Sequence, residues 1–136
     1  MLPLYARTCN HVRDMFRPLL VLVAGPLRSG TGDDPDRLAA NVAAMNRAAY
    51  AVFQAGHVPV TGEAMAFPLA ELAGSRQVGD AGFDAVFHPY GRRLVERCDA
   101  VLRIGGASAG SDEMVELARA AGRLVVHDVA ELPAAA

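Results

Sequence analysis

The sequence predicts a single α/β domain of the Rossmann or flavodoxin type, a parallel sheet of four to five strands with helices on both faces. Three observations carry the expectation. Short β-branched runs, "LLVLVAG" (19–25), "HVPVT" (57–61), "AVLRIGG" (100–106) and "RLVVHD" (123–128), alternate with stretches of helical periodicity. The first run is apolar at every position, as in a strand covered on both faces. At 136 residues, 52% of them hydrophobic and with mean hydropathy +0.20, the chain has one domain's length and the apolar content for one core.

Residues 1–17 are expected to form an N-terminal extension, with one or two helical turns within "TCNHVRDMFRP" before the first strand at 19–25. The domain spans 18–132 and leaves 133–136 as an alanine-rich tail. After the loop "PLRSGTGDDPDR", Leu38, Val42, Met45, Ala49, Val52 and Phe53 follow helical spacing, with Pro35 near the start and Gly56 just past the end. Further helices are expected at 67–73, at 89–98 with Pro89 as first residue, and at 111–121 with Ser111 as N-cap. The intervening "GSRQVGDAGFDAVFH" (74–88) has weak periodicity and reads as a mobile lid or an oligomer contact.

Composition removes several functions. A net charge of −2 gives no electrostatic footprint for nucleic acid or an anionic membrane. Cys9 and Cys98 lack metal-ligand spacing, so neither a zinc site nor a disulfide framework is expected, and Cys98 reads as a small packed side chain. No run reaches the roughly 20 apolar residues of a membrane helix, and the N-terminus lacks signal-peptide order, so the expected location is cytoplasmic. All 13 basic residues are arginine. Without lysine there is no Walker A loop, Schiff base or pyridoxal phosphate attachment, and no cofactor is expected.

Ligands of open α/β sheets bind beyond the carboxyl ends of the strands, where the strand order reverses. Two loops there have suitable residues if the first and third strands are neighbours. In "GPLRSGTGDD" (25–34), Gly25, Ser29, Gly30, Thr31 and Gly32 let backbone amides approach an anion and Arg28 adds charge; a flexible surface loop has the same composition. In "GGASAGSDE" (105–113), Gly105, Gly106, Ser108, Gly110 and Ser111 precede a helix whose first amides are unpaired. Asp112 and Glu113 complement the helix dipole there, which accounts for them without chemistry. In "HPYGRR" (88–93), His88 and Tyr90 stand near the expected site, with Arg92 and Arg93 able to pair an anion. His57 reads as a loop or strand-edge residue, and Asn41, Asn46 and Gln54 as solvent-facing helix residues.

"VAGPLRSG", "GHVPV" and "RCDAVLRIGGASAGSDEMVELARAAGRLVV" together resemble the nucleoside 2-deoxyribosyltransferase-like superfamily, which includes the deoxynucleoside 5'-monophosphate N-glycosidases, over most of residues 19–128. The resemblance implies a homo-oligomer acting on a nucleoside or nucleotide. Gly25, Arg28, Ser29 and Gly30 would line a sugar-phosphate site, with Gly106, Ser108, Gly110 and Ser111 opposite and His88 and Tyr90 beside them. A carboxylate nucleophile at the helix start splits glycosyl transfer into two displacements, and Glu113 is the candidate.

The acids depart from the superfamily pattern. The nucleophile's position, four residues after the glycine of the Ser-x-Gly loop, holds Met114, and the position of the aspartate that handles the base holds Gly91. One residue is about 100° of helix rotation, so Glu113 does not simply replace residue 114. Either a shortened loop lets Glu113 serve, or another acid such as Asp112, Asp84 or Glu63 substitutes, or the protein binds a nucleotide-like or sugar-phosphate ligand without cleaving it. "IGGASAGSDE" also resembles, more loosely, the Pro-Gly-Gly-x-Gly-Thr-x-x-Glu loop of the lysine-decarboxylase-like phosphoribohydrolases.

Overall fold

The computed structural model describes residues 17–135. The extension 1–16, with Cys9 and His11, lies outside the described residues. The chain runs β1 (Leu20–Ala24), α1 (Pro35–Gln54), β2 (Val58–Thr61), α2 (Gly62–Leu72), α3 (Ala81–Val95), β3 (Ala100–Arg103), α4 (Ala109–Ala120) and β4 (Leu124–Val126), then a 3-10 turn at Val129–Glu131. The four strands form one parallel sheet in the order β2-β1-β3-β4. This is a Rossmann- or flavodoxin-like arrangement, with the reversal of strand order between β1 and β3.

Strand alternation distributes the core over two faces. Val21 and Val23 of β1 join Met45 and Val52 of α1, Ala100, Leu102 and Val126 on one face. Leu22 and Ala24 join Val95 of α3, Cys98, Val101, and Val115 and Ala118 of α4 on the other. Right-handed crossovers explain the division. The path from β1 to β2 turns one way along the sheet, the paths to β3 and β4 turn the other, and the covering helices change face.

The strands fall within the expected segments, but the helices are longer. α2 begins at Gly62 rather than 67, directly after β2, and continues through Pro68. α3 begins at Ala81 rather than 89, so Pro89 lies inside the helix and residues 81–88 form its first turns. Asp80 caps α3: its carboxylate accepts from Phe83 N–H at 2.8 Å and from Arg76 and Gln77 N–H at 2.7 and 3.2 Å. Phe83 and Phe87, one turn apart, stack at 4.6 Å, and each lies 6.3 Å from Phe67 of α2. These aromatic contacts hold α3 against α2 and outweigh the weak local periodicity.

The amides of Arg76 and Phe83 hold the Asp80 carboxyl well below its ordinary value of 3.8. Its contribution to stability is full above that value and is lost as pH falls toward the depressed one. Asp80→Ala is therefore expected to be less stable than wild type at neutral pH and to show a flatter loss of melting temperature between roughly pH 5 and pH 2. Parallel thermal scans across that range check it; equal acid slopes would exclude the cap as the source.

His57 is buried and structural. Its Nδ1 accepts from Leu19 N–H at 3.0 Å, which leaves Nε2–H to donate to the Pro133 carbonyl at 2.8 Å, tying the start of β1 to the C-terminal segment. Asp99 accepts from Leu20 N–H at 2.8 Å and pairs with Arg17 at 2.9 Å. Burial raises the Cys98 thiol to about 11, consistent with a packed side chain rather than a nucleophile.

Candidate functional site

A cavity of about 260 Å³ opens at the carboxyl edge of the sheet, where β1 meets β3. The end of β1 with Gly25, Leu27, Arg28 and Ser29 lines one side, and the start of α4, from Ser108 to Ser111 with Met114, lines the other. Gly62 and Glu63 come from the start of α2, and Phe83, Phe87, His88 and Gly91 from α3. A shallower groove, between Pro26, Ser29, Gly30 and Asn41 on one bank and Gly106 to Ala109 on the other, shares Ser29, Ser108 and Ala109 with it. An apolar chamber with a few polar groups beside a more polar groove has the usual form of a small-molecule site.

The two loops meet because their strands are adjacent. Gly25 has little choice of side chain: a Cβ there would stand 2.8 Å from both Ile104 Cγ1 and Met45 Sδ. Loop 25–33 is tied down rather than free. Thr31 N–H donates to the Arg28 carbonyl at 3.0 Å, the Thr31 hydroxyl donates to the same oxygen, and it accepts from Asp33 N–H at 3.1 Å. Asn41 reaches back from α1 and donates to the Leu27 carbonyl at 2.8 Å, so it is a loop anchor and not a solvent-facing residue. The Arg28 guanidinium forms a two-pronged pair with Asp33 through Nε and Nη2, 2.9 Å at each contact, so its charge is partly offset before any anion arrives.

The facing loop is built around Arg103. From the end of β3 its guanidinium donates to the carbonyls of Ile104 and Gly106 and pairs with Asp112 at 3.2 Å. α4 starts two residues earlier than expected and Ser108, not Ser111, is its N-cap: Ser108 Oγ accepts from Ser111 N–H at 3.2 Å, while its hydroxyl donates to Ser111 Oγ at 3.0 Å. Both serines are buried. The unpaired first amides of a helix face polar ligands, and Ala109 and Gly110 line the cavity there.

Gly25, Arg28, Ser29, His88, Ser108, Gly110 and Ser111 therefore line the cavity, and Gly30 and Gly106 line the groove. Tyr90 borders neither. Glu113 borders neither as well: its carboxylate pairs with Arg92 Nε at 2.8 Å, on the outer side of α3 and α4, and the rotation of one residue that separates it from Met114 is the reason. Asp112 is held by Arg103, and neither it nor Asp84 lines the cavity.

Glu63 is the carboxyl that does. It is 5% exposed, and its Oε1 has no hydrogen-bond partner among the described residues. Burial raises its pKa, against a smaller opposing effect of its own backbone amide. In sequence it precedes the helix expected at 67–73 and is one of three acids that could substitute, and its enclosure is what distinguishes it. Met114 and Gly91 also meet in the wall, where a Cβ on Gly91 would lie 3.5 Å from Met114 Sδ. Among the described residues there is no cluster of His, Cys, Asp and Glu able to hold a metal, and no helix long and apolar enough to cross a membrane.

No protein-family model matches the sequence, and no curated protein matches it.

Proposed function

We propose that the protein binds a nucleoside or nucleotide in this cavity and does not cleave it by the paired-carboxylate route. The observation that carries the reading is the contact between Met114 and Gly91. The positions at which the resembled superfamily has its two acids are neighbours in the cavity wall, and neither has an ionisable group. The planar part of the ligand packs against Phe83, Phe87 and Met114, and its sugar or phosphate extends toward Ser29, Gly30 and Gly106 in the groove.

Calorimetry and thermal shift with deoxynucleosides, ribonucleosides and their 5'-monophosphates test the reading. A bound ligand raises the unfolding free energy by RT ln(1 + [L]/Kd), about 2.7 kcal/mol at a hundredfold excess over Kd. The expected result is a stabilising ligand recovered intact. Release of free base would overturn the noncatalytic reading, and absence of binding by every member would overturn nucleoside recognition.

A second reading, N-glycoside hydrolysis, is favoured by Glu63 alone, because a buried carboxyl with a raised pKa is suited to general-acid work. On that reading base release stops in Glu63→Gln and persists in Glu113→Ala.

A further inference from the structure

We infer that Glu63 is the hydrogen-bonding anchor of the cavity, and that it selects an uncharged ring, such as a nucleobase, that donates an N–H or O–H to Oε1. Any anionic substituent is directed away, into the groove at Gly30 and Gly106. The inference rests on the cavity being a binding site and deepens that reading by assigning the chemistry and orientation of the ligand.

Position on a helix does not account for Glu63. Acids at helix starts offset the partial positive charge of the dipole from solvent, and the other first-turn acids Asp36, Asp84 and Asp112 are exposed. Glu63 does not share that placement. It is enclosed beside Gly62 in a chamber whose walls include Phe83, Phe87 and Met114, with Oε1 unpartnered.

Buried polar atoms are nearly always paired, and an unpaired one costs the fold the desolvation of that group. A ligand that supplies the missing donor recovers the cost on binding, whereas a phosphate or carboxylate placed there would meet a second acid. Arg28 lines the cavity but not the groove, and its guanidinium is engaged by Asp33; Ser29, Ser108 and Ala109 are the residues through which the cavity opens into the groove. The ligand is therefore uncharged at the Glu63 end, and any negative charge sits away from it, in the groove reached past Ser29 and Ser108.

The test uses Glu63→Gln and Glu63→Leu of the full chain, probed with adenosine, guanosine, cytidine, uridine and their 5'-monophosphates. Glutamine keeps an acceptor oxygen and leucine does not. For the tightest ligand, Glu63→Leu is expected to weaken binding by about tenfold or more, with glutamine restoring most of it. Without ligand, Glu63→Leu is expected to melt about 2–6 °C higher than wild type, because it removes the buried orphan.

A nucleoside that binds wild type and Glu63→Leu equally would overturn the anchor and leave the proposed function standing. If no probe binds wild type, the nucleoside reading fails, and the ligand-free melts still decide the role of Glu63. A lower melting temperature in Glu63→Leu would make the carboxyl a structural support and overturn the inference; a higher one would support an anchor for a donor outside this panel.

Discussion

Phe83→Ala is expected to cost about 3–5 kcal/mol of unfolding free energy and to abolish ligand binding. The ring is 2% exposed, stacks on Phe87 at 4.6 Å, and approaches Phe67 of α2 at 6.3 Å while forming part of the cavity wall. Truncation removes the contact that holds α3 to α2 and enlarges the cavity at the same point. Domains of this size have about 5–15 kcal/mol of stability in total, so the variant is left marginal. Urea unfolding measures the loss, and Phe83→Leu separates the two effects by keeping most of the volume without the aromatic face. A cost below about 1 kcal/mol for the alanine variant would show that the ring is not packed between the helices.

Two glycines of α3 are expected to respond in opposite directions to alanine. At Gly82, a Cβ would stand 2.5 Å from the backbone nitrogen of Ser75 and 2.9 Å from its Cα, so the turn after α2 must move. Backbone cannot give way as a flexible side chain can, and Gly82→Ala is expected to lose about 1–3 kcal/mol. At Gly91 the nearest atom is Met114 Sδ at 3.5 Å, an ordinary contact. There alanine is expected to add about 0.5–1 kcal/mol through its higher helix propensity. The same methyl enters the cavity wall, so ligand affinity is expected to fall as stability rises. Denaturant melts of the two variants, with ligand titrations of Gly91→Ala, check the pair; a stabilised Gly82→Ala would contradict the close approach of α3 to the turn at Ser75.

The sheet was readable from local pattern because the information is local. The four β-branched runs between helical segments locate the strands, and apolar residues at every position of 19–25 require cover on both faces. The loops were readable for the same reason: small residues after a strand and before a helix mark the carboxyl edge in any parallel α/β sheet. The residues between 81 and 88 were not, since that stretch is helical by virtue of Phe67 on another helix and the Asp80 cap rather than by its own periodicity.

The acids show the limit most directly. Sequence alone assigns Asp112 and Glu113 to the helix dipole and leaves Glu63 ahead of the helix expected at 67–73, whereas in the structure Glu63 and Asp112 both stand in the first turn of a helix. Their difference arises from which way each helix is rotated against its neighbours: Glu113 turns outward to Arg92, Asp112 is held by Arg103, and Glu63 turns into the cavity. The sequence by itself determined the order and type of the elements, the face alternation of the strands and the two loops that meet. Tertiary structure decided which carboxyl is enclosed. Burial depends on packing between segments far apart in the chain, and no local pattern of residues encodes the desolvation of a particular side chain.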